Sequence, residues 1–446
     1  MKKKIGFISL GCSKNLVDTE KMLGILEDAG YALTEDLAEA EVIIINTCTF
    51  IDAAKDESVQ TILEAAEYKK SGKCERLVAA GCLSQEFQAD LAKEIPEIDI
   101  LLGTNSWHRI LEAVEESYRD NQNVMHFDTA PCEHEELLPR EVTTPSYTAY
   151  VKIAEGCSNG CTFCYIPYVR GKMRSRPIES VLYEVRELAE KGVREFNLIA
   201  QDLSCYGRDL RNGTTLSALL REMVKIEGVH WIRLFYLYPT YFDDELLDLI
   251  LSEPKICKYA DIPLQHISDA VLSRMHRRDS SKSIRALLCK IREKNVPLTV
   301  RTTMMVGFPG ETEEDFKELL DFVKEVKFDA LGAFMFSPQD GTPAAKMDNQ
   351  IAEDIKEERY HLLMATQAEV SEENDQKLIG TEAEVLVEDF TETENGIRQA
   401  IGRTSFQAPE VDGEIYVDNP GDAKVGDFIR VRITDGYAYD LIGERI

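Results

Sequence analysis

Nine residues carry the plainest chemical signal in the chain: Gly156-Cys157-Ser158-Asn159-Gly160-Cys161-Thr162-Phe163-Cys164. Three cysteines stand in a C-x3-C-x2-C spacing inside one short loop, followed by Tyr165, Pro167 and a basic run. Three thiolates so placed can hold three irons of a cubane iron–sulfur cluster and leave the fourth iron without a cysteine. The open corner matters. A cluster closed by four cysteines mainly carries electrons, whereas an open one can bind a substrate or cosubstrate. A zinc site is the competing interpretation. Zinc pairs usually follow a C-x2-4-C spacing and need a fourth ligand, and no second C-x2-C or H-x3-H nearby supplies one.

A second cysteine pattern appears only when the amino-terminal third is divided into elements. Lys4–Leu10, Val42–Asn46, Arg76–Ala80 and Ile98–Leu102 read as strands, and Leu16–Ala29, Asp52–Lys69, Ser84–Glu94 and Trp107–Tyr118 as the helices between them. Strands alternating with helices predict a doubly wound parallel sheet. Cys12, Cys48 and Cys82 each follow a strand by two residues, about 35 residues apart. Parallel strands bring their carboxyl ends to one edge, where open α/β sheets build their sites. The three thiols therefore converge and predict a second three-cysteine cluster, the alternative being three buried structural cysteines. Gly11 and Gly81 would let backbone approach a bulky ligand. In the first loop, Lys14 and Asn15 are candidates to hydrogen-bond cluster sulfur or an anion, while Asp18 and Glu20 read as serving a helix amino terminus.

The middle of the chain repeats strand and helix six times. The strands are Tyr147–Ala154, Glu195–Ala200, Trp231–Tyr236, Tyr259–Leu264, Leu298–Val306 and Ala330–Phe336. This predicts a partial (β/α)6 barrel of TIM type with its site at the carboxyl ends of the strands. The Cys157 loop follows the first strand, as such a site requires. On the same rim fall Gln201 and Asp202, Gln265 and His266, and the turn Gly307-Phe308-Pro309-Gly310. That turn could offer backbone groups to a nucleoside or a carboxylate. His266 reads as a proton donor or a rim hydrogen-bonding residue. Cys205 has no partner and reads as structural. Two basic groups, Arg170, Lys172, Arg174 and Arg176, and Arg274, His276, Arg277 and Arg278, read as phosphate or acidic-surface binders, or as solvated charge.

The last segment, from about residue 375, shows short alternating runs at Ala383–Val387, Gly413–Val417 and Asp427–Ile433 with Asp-Gly turns, the signature of a small antiparallel β-barrel. Domains are accordingly expected at 1–120, 143–374 and 375–446, with a linker at 121–142. Residues 380–446 hold 15 acidic and 6 basic residues, and the whole chain carries a formal charge of -29. Such a surface repels a phosphate backbone and suits a basic protein partner. Met1-Lys2-Lys3-Lys4 has the charge of a leader, but Ile5–Leu10 is too short for its apolar core. With no run long enough to span a bilayer, the chain is expected to be cytoplasmic, and its 11 cysteines point to metal or redox chemistry rather than disulfides.

With these residues in place, the chain resembles the radical S-adenosylmethionine methylthiotransferases over nearly its whole length. Cys12, Cys48 and Cys82 match the family's amino-terminal cluster, Cys157, Cys161 and Cys164 its radical cluster, and the acidic barrel its TRAM domain. Ser9-Leu10-Gly11-Cys12-Ser13-Lys14-Asn15-Leu16-Val17-Asp18 is similar to the RimO-type branch, which modifies an aspartate of small-subunit ribosomal protein twelve; the tRNA-modifying branch typically carries Gly-Cys-Gln-Met-Asn there. Gln201-Asp202-Leu203-Ser204-Cys205-Tyr206-Gly207 also resembles that branch, with Leu203 and Ser204 where threonines are more usual. The resemblance implies two [4Fe-4S] clusters and S-adenosyl-L-methionine as cofactors. The six cysteines would be metal ligands with catalytic roles, and Gln201, Gln265, Gly307, Pro309 and Gly310 candidates for holding S-adenosylmethionine. It implies a 5′-deoxyadenosyl radical that takes hydrogen from the aspartate β-carbon, with sulfur presented by the second cluster. The expected partners are the basic ribosomal protein and an electron donor such as flavodoxin or ferredoxin, without membrane association or stable tRNA binding. A tRNA methylthiotransferase of the same chemistry and an electron-transfer iron–sulfur protein are the alternatives.

Overall fold

A computed structural model of the protein describes residues 3–294, 296–393 and 396–446. Met1 and Lys2, half of the basic leader-like amino terminus, lie outside the described residues.

The amino-terminal sheet has six parallel strands: β1 (Lys4–Ser9), β2 (Ala32–Leu33), β3 (Val42–Thr47), β4 (Arg76–Gly81), β5 (Ile100–Leu102) and β6 (Val124–His126), in the order β2-β1-β3-β4-β5-β6. All six residues of β3 are buried, as a β-branched run covered on both faces must be. Ile44 and Val78 face one apolar layer, Ile43, Ile45 and Leu77 the other. Neither edge strand was expected. β2 has two residues and β6 three, too few for a hydrophobic period to register. β6 lies beyond residue 120, inside the stretch read as a linker, so the sheet runs further than the sequence suggested. Chain order reverses between β1 and β3, which opens a crevice at their carboxyl ends.

The central domain carries six parallel strands: β7 (Thr148–Lys152), β10 (Glu195–Ile199), β11 (Trp231–Leu234), β12 (Tyr259–Asp261), β13 (Thr299–Val306) and β14 (Ala330–Met335). A parallel bridge from Ile232 to Ile256 joins the two halves into one open arc. All six lie where the sequence put them, trimmed at their ends. A two-residue pairing of β8 (Ala154–Glu155) with β9 (Arg174–Ser175) closes the base of the Cys157 loop.

The carboxyl-terminal strands β15 (Glu382–Glu392), β16 (Arg398–Thr404), β17 (Ile415–Asp418), β18 (Phe428–Gly436) and β19 (Leu441–Arg445) form a closed barrel in the order β15-β16-β17-β19-β18. Its pairs are antiparallel except β17–β19, which run parallel. Val17, Tyr150, Phe235, Leu386 and Ala408, drawn from all three domains, share one apolar cluster. Among the described residues no helix is long and apolar enough to cross a membrane.

Candidate functional site

The three amino-terminal thiols meet at the reversal crevice. Cys12 is the residue that opens helix Ser13–Asp28, and Cys82 begins helix Cys82–Glu94. Cys48 is pinned from outside: its N–H donates to Ser58 Oγ at 3.0 Å, and that hydroxyl donates to the Cys48 carbonyl. Two glycines allow the loops to come this close. A Cβ on Gly11, at φ +86, would lie 2.8 Å from Cys48 Sγ, and one on Gly81, at φ +92, would lie 2.2 Å from Asn46 Oδ1. Burial pushes the thiols of Cys48 and Cys82 up, the latter to about 12, with the neighbouring thiols of the trio adding to it and Arg170 opposing.

The second trio sits in a loop held at many points. Cys157 N–H donates to the Gly171 carbonyl at 3.1 Å, Thr162 Oγ1 donates to the Arg274 carbonyl at 2.8 Å, and Asn159 Nδ2 donates to Asp202 at 2.6 Å. His276 Nδ1 lies 3.0 Å from the Gly160 carbonyl. Gly156 is at φ +77, where a Cβ would strike the Lys172 carbonyl at 2.4 Å. Burial raises Cys157 to about 11 and Cys164 to about 12.

None of the six cysteines is in a disulfide. Each trio offers thiols alone, the soft donor set that suits a multi-iron group.

Arg170 joins the two trios. Its guanidinium, buried, donates to Asn15 Oδ1, to Asp18 at 3.3 Å and to Glu155 Oε2 at 2.7 Å. Asn15 in turn donates to the carbonyls of Leu10 and Thr47, both at 2.9 Å, and its Oδ1 lies 3.8 Å from Cys82 Sγ. Glu155 accepts from the Gly156 N–H at 3.1 Å, next to Cys157. Lys152 donates to both Asp18 and Glu155. Although burial alone would raise it, Arg170 and Lys152 hold the Glu155 carboxyl well below the usual range. Lys14, the other loop residue singled out, lies with Nζ 3.3 Å over the ring of Tyr236, two residues past β11.

Several expectations change here. Asp18 and Glu20 do not serve the helix amino terminus, where no acidic side chain stands in the first turn. They are buried inter-domain anchors: Asp18 for Lys152 and Arg170, and Glu20 for Arg140 at 2.6 Å. The first basic group is largely internal, since Arg176 is buried against Glu184 and Glu135 and Arg174 donates to Asn105 Oδ1. The second group braces loops, with Arg274 on the Gly310 carbonyl and Arg277 on the Pro263 carbonyl. His266 is not at the rim. It is fully buried, accepts from the Ser268 N–H through Nδ1, which leaves the proton on Nε2, and is pushed down to about 3 by burial.

Of the other rim residues, Gln201 donates to Glu155 Oε1 at 2.7 Å, inside the Arg170 network. Gln265 adopts φ +73 and bridges Met304 in β13. The Gly307-Phe308-Pro309-Gly310 turn is tied to its neighbours. Phe308 N–H donates to Glu311 Oε2, Gly310 N–H donates to the Asn349 carbonyl, and the Gly310 carbonyl accepts from Arg274. The Phe308 and Gly310 amides thus both have partners within the protein. Arg170 and Glu155 were not legible as a pair in the linear chain, because a salt bridge between a loop and a hairpin has no spacing rule.

Residues 4–103 match the uncharacterized protein family UPF0004, residues 151–323 the radical SAM superfamily and residues 379–446 the TRAM domain. Among solved structures, the chain is similar to the radical S-adenosylmethionine methyltransferase TsrM from Kitasatospora setae with cobalamin and a [4Fe-4S] cluster bound, at TM-score 0.57 and 15% identity over 77% of this chain and 74% of that one. It is also similar to the cobalamin-dependent S-adenosylmethionine radical enzyme OxsB, at TM-score 0.53 and 13% identity over 83% and 56%. Fold and motif together define a radical S-adenosylmethionine enzyme with an added amino-terminal thiol site and a carboxyl-terminal barrel.

Over the full length the similarity becomes specific. The chain is 50% identical to the ribosomal protein uS12 methylthiotransferase RimO of Geobacter sulfurreducens, covering 100% of this chain and 99% of that protein. It is 48% identical to RimO of Desulforamulus reducens over 99% of each. The chain belongs to the RimO family of radical S-adenosylmethionine methylthiotransferases.

Proposed function

We propose that this enzyme transfers a methylthio group to the β-carbon of an aspartate in ribosomal protein uS12. Cys157, Cys161 and Cys164 would hold one [4Fe-4S] cluster, Cys12, Cys48 and Cys82 a second, and Gln201, Gln265 and the Gly307–Gly310 turn are the candidates to border S-adenosylmethionine. When bound, the first cluster supplies the electron that cleaves S-adenosylmethionine and the second carries the sulfur to be transferred. The chain's own part is placement. Arg170, Asn15 and Glu155 fix the two thiol groups against one another, and the barrel walls exclude water from the radical step.

One observation carries this reading: two trios of thiols tied through one buried arginine, in a chain 50% identical end to end to the RimO of Geobacter sulfurreducens. The formal charge of -29 supports a basic protein substrate over tRNA, whose phosphates it would repel. A cytoplasmic site of action and a soluble electron donor of the flavodoxin or ferredoxin class accord with that substrate. Mass spectrometry of ribosomal proteins and of tRNA from cells lacking the gene tests the reading. Loss of a methylthio mass on uS12 is expected; loss on a tRNA nucleoside instead would sink it. Anaerobically reconstituted protein should hold about eight irons, and replacing Cys157, Cys161 and Cys164 with Ala should halve that and abolish S-adenosylmethionine cleavage.

A further inference from the structure

Five aromatic side chains gather where the amino-terminal sheet meets the central barrel, four of them exposed and one half-buried. Phe50, two residues past Cys48, is 49% exposed; Phe334, near the end of β14, is 45% exposed. Their rings meet edge to face at 6.4 Å between centroids. The half-buried Tyr165, next to Cys164, stacks on the exposed Tyr168 at 5.1 Å. Phe87, exposed and five residues past Cys82, completes the set, with Lys55 Nζ 5.8 Å from its ring and 5.9 Å from that of Tyr165.

Polar contacts make these rings one continuous rim. Thr49 and Lys55 both donate to Glu86, the neighbour of Phe87. Asp52, two residues past Phe50, accepts from Ser337 at 3.1 Å and from Gln339 at 3.3 Å, which draws the loop after β14 onto the amino-terminal domain. Asp340 on that loop is exposed, and a Cβ on the next residue, Gly341, would touch the Tyr165 ring at 3.6 Å. Loops bearing cysteines of both trios therefore run directly into the rim.

Large apolar rings left in water beside a site mark an interaction surface. Ring faces set among carboxylates attract cations, and Lys55 already lies between two of them. We infer that this rim is the docking lip for a lysine- or arginine-bearing loop of the protein substrate, gripping the residues that flank the target carboxylate. This rests on the functional reading above. A nucleic-acid strand could stack its bases on the same rings but would meet the exposed Asp52 and Asp340 with its phosphates.

The test uses reconstituted holoenzyme and purified uS12. Phe334→Ala should raise the KM for uS12 about tenfold, as loss of an aromatic anchor does, with kcat held within about twofold. Asp340→Lys, at an exposed loop position, should raise KM and flatten its dependence on salt. Iron content and melting temperature report whether each variant is folded. If Phe334→Ala loses iron, Asp340→Lys decides. Unchanged KM in both folded variants overturns the docking lip while the functional reading stands. A wild-type enzyme that leaves uS12 unmodified overturns both. Competition by added tRNA that disappears in Phe334→Ala assigns the rim to bases and overturns this occupant.

Discussion

At the scale of single residues, Arg170 is the side chain on which the most converges. It has no spacing signature and lay in a run of charge that looked like surface, yet it is buried between Asn15, Asp18 and Glu155. Removing one partner of a buried ion pair leaves the others uncompensated, which typically destabilises by about 3–5 kcal/mol. Arg170→Ala is expected to unfold at clearly lower temperature in a thermal melt, and an unchanged melting temperature would mean the network is not holding the domains. Gly81 offers a sharper local test. It sits at φ +92, and an added Cβ would stand 2.2 Å from Asn46 Oδ1, so Gly81→Ala must shift the start of the helix that begins at Cys82. Bound iron should fall toward the amount held by the Cys157 trio alone, read by iron analysis of reconstituted protein.

Helices and strands set conditions that no single contact explains. The helix Glu353–Gln376 packs along β14 and ends at a cleft of about 770 Å³ between the central barrel and the carboxyl-terminal one. Asp375 lies in its last turn, where a negative charge opposes the helix dipole. Burial, with Asp329 and Asp440 nearby, pushes its carboxyl up to about 7. A carboxyl raised in the folded state favours folding while protonated, so this contribution is full below its ordinary value of 3.8 and is lost as pH rises toward about 7. Asp375→Asn should therefore stabilise the protein at pH 8, by about 1–2 kcal/mol once solvent screening at the cleft is allowed for. It should change little at pH 4. Melting curves across that range check the sign.

Across the whole molecule, the three domains are locked by buried charge. Glu195 in β10 accepts from Arg233 and from Arg403 of the carboxyl-terminal barrel, all three buried. Burial alone would raise the Glu195 carboxyl, but Arg403 and then Arg233 outweigh it and hold it down at about 2. A depressed carboxyl contributes stability above its ordinary value of 4.5 that is lost as pH falls through the folded value. Glu195→Gln should lower the melting temperature at pH 7 and make the acid limb between pH 4.5 and 2 shallower. Limited proteolysis between residues 377 and 382 should accelerate in the same variant if this cluster seats the barrel.

The two thiol trios and the class of fold were already written in the linear chain. Strand–helix alternation and a C-x3-C-x2-C loop are local patterns, and strand ends in a parallel sheet share an edge by construction. The six barrel strands were legible for the same reason, each being long enough to show its apolar run. Strands β2 and β6 were not, because two or three residues carry no period, and β16 and β19 were not, because glycine and charged residues break their apolar runs. What the charges do was settled only by folding. In a linear chain Asp18 and Glu20 read as helix-terminus carboxylates and Arg170 and Arg176 as binding or solvated charge, and their burial depends on what packs against them from elsewhere along it. Folding likewise buried His266 and gave the Phe308 and Gly310 amides partners within the protein, since hydrogen bonds are chosen by neighbours in space rather than in sequence.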